Sequence, residues 1–104
     1  MRRGEVWWAH LPDGTKRPVL TLSRDDAYLV RRMVTVAPIT TRVRGIRVEV
    51  ELDVADGLPQ HCAVNLDRVT TLPREVLRDR LTKLPTDKLE RVAHALRFAL
   101  ALDP

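Results

Sequence analysis

Two adjacent tryptophans, Trp7 and Trp8, stand in the middle of an extended run, Gly4-Glu5-Val6-Trp7-Trp8-Ala9-His10-Leu11. Successive side chains of a strand point to opposite faces. Val6, Trp8 and His10 therefore share one face, and Glu5, Trp7, Ala9 and Leu11 share the other. Two rings on opposite faces cannot both be core residues of a sheet covered on one side. The pair demands either a sheet closed into a barrel or a second copy docked over the open face. Pro12-Asp13-Gly14-Thr15 reads as a turn, so the next run, Lys16-Arg17-Pro18-Val19-Leu20-Thr21-Leu22-Ser23, returns as the second arm of a hairpin. Val19, Thr21 and Ser23 lie on one of its faces, Leu20 and Leu22 on the other. Pro18 has no ladder donor and belongs at a strand start or an edge. That leaves Arg17 where a buried sheet meets solvent, its guanidinium free to reach a ligand.

A third strand, Met33-Val34-Thr35-Val36-Ala37, is ended by Pro38 and followed by Ile39-Thr40-Thr41. Placing this strand beside the Arg17 strand brings a cation and two hydroxyls together as a site for an anionic ligand. Arg24 to Arg31, between the two strands, fits a loop or one helical turn. Arg42-Val43-Arg44-Gly45 is a basic loop whose two arginines are candidate phosphate contacts. Ile46 to Leu52 then alternates cleanly, with Ile46, Val48, Val50 and Leu52 facing inward and Arg47, Glu49 and Glu51 facing water. Residues 53–59 form a connection, and Cys62 to Leu66 a strand that Asp67 to Leu72 continues after a bend. Pro73 to Leu81 fits a short helix or an irregular turn. A last helix, with Thr86 as N-cap, carries Leu89, Val92, Ala93, Leu96 and Leu100 at helical spacing through Ala101. Phe98 and Leu102 fall off that stripe and suggest a subunit contact. The expected fold is mainly β: a small, strongly curved antiparallel sheet or barrel with a C-terminal α-helix, one domain over residues 1–104.

Charge narrows the partner. Residues 1–47 carry ten Lys or Arg against four Asp or Glu, whereas residues 48–104 carry eight against ten. A basic N-terminal half favours a polyanion over an acid-rich or neutral ligand. One cysteine excludes an internal disulfide and a CxxC metal pair, and fits a reducing compartment. Neither metal-ligand spacing nor a glycine-rich phosphate loop occurs, so no metal or cofactor is expected. No signal segment opens the chain, and no apolar run approaches the ~20 residues of a membrane span. The expected location is cytoplasmic, with no membrane contact. His10, His61 and His94 permit a two-histidine nuclease, though nothing in the sequence places any two of them together. His61 and Cys62 are strand neighbours and point apart, which makes Cys62 a core residue rather than an activated nucleophile. Trp7 or Trp8 could stack on bases, with core or subunit packing as the competing role.

Gly4-Glu5-Val6-Trp7-Trp8, Arg17-Pro18-Val19-Leu20-Thr21-Leu22-Ser23 and Pro38-Ile39-Thr40-Thr41 resemble successive blocks of the MazF/PemK family of toxin endoribonucleases. Gly57-Leu58-Pro59, Ala63-Val64-Asn65-Leu66-Asp67 and the tail from Leu81 to Leu102 fit the same order. The resemblance implies an SH3-like barrel of the CcdB/PemK type, a homodimer, and metal-independent cleavage of RNA (mRNA or tRNA) at a short specific sequence. The implied products are a 2′,3′-cyclic phosphate and a 5′-OH. It further implies neutralisation by a cognate antitoxin whose disordered tail occupies the RNA site. By motif, the catalytic arginine falls on Arg17 and the catalytic threonine on Thr40. Lys16, Ser23, Thr41, Arg42, Arg44, Asn65 and Asp67 are the candidate RNA contacts. The chain departs from the family in its short first loop, Pro12 to Lys16, and in having Asn65 where some relatives place an arginine. Asp67 either orients Arg17 or a nucleotide, or merely shapes a turn. A non-catalytic CcdB-like toxin that binds a protein such as DNA gyrase is the alternative, and a generic SH3-like RNA- or protein-binding domain a third. A phosphate-shaped pocket formed by Arg17 and Thr40 would separate the first from the others.

Overall fold

The computed structural model describes residues 1–102. Its strands are β1 (Glu5–His10), β2 (Lys16–Thr21), β3 (Met33–Thr40), β4 (Glu49–Leu52), β5 (Cys62–Asn65), β6 (Thr70–Pro73) and β7 (Leu77–Lys83), followed by helix α1 (Thr86–Ala99). They form one antiparallel sheet in the order β4-β5-β3-β2-β1-β7, with β6 also paired to β3. The expected mainly-β architecture with a C-terminal helix is what the chain adopts. The sheet curls like a barrel, but β4 and β7 remain separate ends of the strand path.

The β1–β2 hairpin turns where expected. Gly14 takes a φ of +88°, which a side chain would resist, and Asp13 Oδ1 accepts from the Thr15 N–H at 2.9 Å. β3 is longer than the sequence suggested and runs through Pro38 rather than ending there. The reason lies in its neighbours: one edge pairs β6 from Met33 to Val36, then β5 from Ile39 to Thr40. Pro38 falls in the gap between those two ladders, where a missing N–H costs no bond on that edge. The strand expected over residues 46–52 is shorter, because only Glu49 to Leu52 pair with β5 and Ile46 is exposed. Asp67 to Leu72 does not simply extend β5; a 3₁₀ turn at Leu66–Arg68 separates β5 from β6. The segment from Pro73 to Leu81 holds a 3₁₀ turn and then β7, an edge strand on β1. At α1, Thr86 is the first helical residue and Pro85 the cap, and the helix ends at Ala99, two residues short of the expected Ala101.

Both faces of the sheet are covered within one chain. Val6, Leu20 and Ala37 lie opposite one another on β1, β2 and β3 and join Val50, Leu52, Val64, Leu66, Val92 and Ala95 in one buried cluster under α1. Ala9, Val19, Val34, Val36 and Leu77 form a second cluster on the other face, closed by Tyr28 from the 3₁₀ turn at Asp25–Leu29. Trp7 packs on this second cluster, and its Nε1–H donates to Glu5 Oε1 at 3.0 Å. Trp7 is thus accounted for without a second copy, whereas Trp8 joins neither cluster. Gly57 (φ +96°) brings the loop after β4 so close to β7 that a Cβ would collide with the Thr82 side chain. That approach fixes where Leu58, Pro59 and Gln60 stand.

Candidate functional site

The second face is apolar only over part of its area. In an antiparallel pair, opposed residues project on the same side, so strand register decides which side chains meet. Val19 opposes Pro38, Thr40 opposes Ala63, and Glu49 opposes Asn65. Continuing the β2–β3 register by two residues sets Arg17 across from Thr40, on strands roughly 5 Å apart. Continuing β3–β5 by one sets Pro38 across from Asn65. Arg17, Thr40, Asn65 and Glu49 therefore converge on one side of four adjacent strands. They line a groove of about 540 Å³ together with Arg42, Arg44 and Arg68.

The polar groups of this groove are poised to donate. Thr40 Oγ1 accepts from the Arg42 N–H at 3.1 Å, which leaves its own hydrogen free for a ligand. Asn65 is buried, and its Oδ1 accepts from the Asp67 N–H at 2.9 Å. Its NH₂ has no acceptor among the described residues. Arg17, Arg42 and Arg68 take part in none of the ion pairs among the described residues. Four guanidinium groups thus surround one carboxylate, and that carboxylate is already engaged.

Glu49 was expected to face water; its side chain is instead 1% exposed. It accepts from the backbone N–H groups of Arg44 and Gly45 at 2.9 and 3.1 Å, and its Oε2 lies 3.2 Å from Arg44 Nε. Burial pushes the Glu49 carboxyl up, but the backbone N–H and guanidinium of Arg44 outweigh it, so the net shift is below the ordinary value of 4.5. A folded pKa below the unfolded one stabilises above the unfolded value and loses that contribution as pH falls through the folded one. Amide-exchange protection at Arg44 and Gly45 should hold at neutral pH and collapse on acidification below 4.5. Glu49→Ala should remove it at every pH. Protection that survives both would show that the loop is held by something else.

The remaining expected site residues are dispersed. Lys16 and Thr41 line a second groove, of about 420 Å³, which shares Arg17, Ile39 and Thr40 with the first. Ser23 Oγ accepts from the Thr35 N–H at 2.9 Å and lies in neither groove. Asp67 is exposed at the 3₁₀ turn and also lies outside both, whereas its neighbour Arg68 lines the first. Arg68 was missed because a charged residue in a short turn carries no periodicity; only its arginine fork marked it. The three histidines stay apart. His10 pairs with Asp79 at 3.0 Å, His61 with Glu51 at 2.9 Å, and His94 sits on α1. Cys62 is buried, and burial, with Asp56 and Asp53 nearby, pushes its thiol above the usual range. A thiol so placed is a poor nucleophile.

A larger cleft, of about 790 Å³, opens between β4 and α1. Arg47, Arg91, Glu49 and Glu51 all line it, and the Arg47 guanidinium lies over the Phe98 ring, 3.9 Å from its centroid. Size alone does not make it the site, because its charges cancel. The groove around Arg17 concentrates one sign of charge beside free hydrogen-bond donors. That defines a small β domain suited to holding a polyanion.

Residues 2–100 match the family described as PemK-like, MazF-like toxin of type II toxin-antitoxin system. The chain is 41% identical over 99 residues to the probable endoribonuclease MazF5 of Mycobacterium tuberculosis, spanning 94% of this chain and 91% of that protein. The solved structure of Mycobacterium tuberculosis toxin MazF-mt6 superposes with a TM-score of 0.88 at 36% identity, over 96% of this chain and 99% of that one. An endoribonuclease in complex with its cognate antitoxin from a mycobacterial species gives 0.89 at 27% identity, over 100% and 98%. The chain belongs to the PemK/MazF toxin family.

Proposed function

We propose that the chain is a toxin endoribonuclease that cuts RNA at a short specific sequence without a metal ion, with Arg17 and Thr40 as its catalytic residues. The observation that supports this most is that Arg17 and Thr40 line one cationic groove, the guanidinium in no ion pair among the described residues and the hydroxyl with its hydrogen free to donate. In the reaction, the ribose 2′-oxygen attacks the adjacent phosphorus and the 5′-oxygen of the next nucleotide leaves. The products are a 2′,3′-cyclic phosphate and a 5′-OH. The 2′-OH loses a proton and the leaving oxygen gains one. Between them the phosphorane gathers negative charge on its non-bridging oxygens. The planar fork of Arg17 can grip two such oxygens at once, and Thr40 can donate its free hydrogen to the same group. Donors aimed at charge that develops only in the transition state lower the barrier rather than merely tightening binding. Arg42, Arg44 and Arg68, with Lys16, suit the neighbouring phosphates.

An antitoxin segment occupying the same groove would block RNA directly. The proposed protein works in the cytoplasm as a homodimer. Phe98 and Leu102, 45% and 64% exposed, offer apolar surface for the second copy. The decisive experiment incubates the purified protein with total RNA in EDTA and maps the new 5′ ends. Recurrent cuts bearing 5′-OH groups are expected. Cleavage that needs added Mg²⁺, or ends bearing 5′-phosphate, would overturn the mechanism, and no cleavage at all would favour a toxin that only binds its target.

A further inference from the structure

The groove beside the cationic one has a different character. Trp8 and Pro18 oppose each other on β1 and β2. They lie on the face away from Arg17, and both line the groove. Leu58, Pro59 and Gln60 stand at its side because the Gly57 contact holds their loop in place. Arg17 and Thr40 belong to both grooves, so a ligand phosphate gripped there sits where the two grooves meet, and the adjoining nucleotide can enter the one that holds the indole. Lys16 places its ammonium 5.2 Å from the centroid of the Trp8 ring. A cation on the π-face is held electrostatically, by roughly 0.5–1 kcal/mol at an exposed site. A nucleobase stacked on an aromatic ring gains more than that, and it brings phosphates on which the displaced ammonium can settle.

We propose that the Trp8 groove is a nucleobase subsite: a base adjoining the cleaved linkage stacks on the indole in place of the Lys16 ammonium, which swings to a phosphate. Gln60 and Thr41 supply the amide and hydroxyl within reach of the base edge, which makes this groove a source of sequence preference. The inference rests on the reading of the neighbouring groove as an RNA site.

The test uses a fluorescein-labelled pool of randomised 2′-O-methyl RNA hexamers, whose capped 2′-oxygen cannot attack, and an abasic hexamer of equal charge. Wild-type protein should bind both. In Trp7→Phe, whose remaining tryptophan is Trp8, emission should change with the base-bearing pool and not with the abasic one. Trp8→Ala should weaken the base-bearing pool about tenfold and leave the abasic one unchanged, while Trp8→Phe restores most of the loss. Lys16→Gln should flatten the dependence of log affinity on log salt by about 0.7, one phosphate contact on a single strand. Binding of the pool without an emission change, or equal losses for both hexamers in Trp8→Ala, overturns the subsite and leaves the RNA groove standing. Failure of wild type to bind either hexamer removes the RNA groove and the subsite together.

Discussion

Arg17→Ala should lower the rate of RNA cleavage by at least 10²–10³-fold, the range lost when one preorganised donor to a developing oxyanion is removed. The side chain is exposed and enters no ion pair among the described residues, so its removal leaves no buried partner behind. The thermal midpoint and far-ultraviolet circular dichroism should therefore match wild type. Arg17→Lys separates charge from shape. It keeps the cation but gives up the bidentate fork, so most of the loss should persist, with hexamer binding only slightly weakened. Full activity in the alanine variant would reject Arg17 as a catalytic group. Equal loss of activity and of fold would reassign it to structure.

Leu20→Ala is the stability counterpart. Leu20 is 0% exposed, lies between Val6 and Ala37 on the central strands, and faces the cluster sealed by α1. Two residues of β2 separate it from Arg17, so its packing holds the strand that presents the guanidinium. Truncation removes transfer free energy and leaves a cavity that β-sheet neighbours cannot easily fill. The expected cost is about 3–5 kcal/mol, a large share of the roughly 5–15 kcal/mol that holds a domain together. In urea the midpoint should fall with little change in the slope. A loss below about 1 kcal/mol would mean that the cluster relaxes around the gap.

The sequence made the centre of the molecule legible and its margins obscure. β1 and β2 announced themselves through alternation and a turn with a clear physical basis, and the stripe on α1 through its helical period as far as Leu96; Leu100, expected on the same stripe, lies past the helix end and is 55% exposed. β7 stayed hidden because Arg78, Asp79 and Arg80 are all exposed, with only Leu77 buried. Its ladder to β1 also carries two register shifts, which break the alternation that a strand would otherwise show. Charge on an outermost strand discourages further pairing, so the feature that protects this edge also disguises it. Pro38 misled for a related reason: whether a proline ends a strand depends on whether its missing donor was needed, and that is set by partners far along the chain. In the groove, Arg17 and Thr40 could be paired in advance because each ended a recognisable strand. Glu49 looked like a solvent-facing member of an alternating run. Its burial depends on the Arg44–Gly45 loop folding back, a tertiary event with no local signature.

β3 carries both apolar clusters on one backbone: Val34 and Val36 belong to one, Ala37 and Ile39 to the other. Neither half of the molecule can melt while the other stays intact, since loosening the strand undoes both at once. Denaturation should therefore be a single cooperative event. A chain damaged by heat, or still emerging during synthesis, would not display a half-built groove with working chemistry.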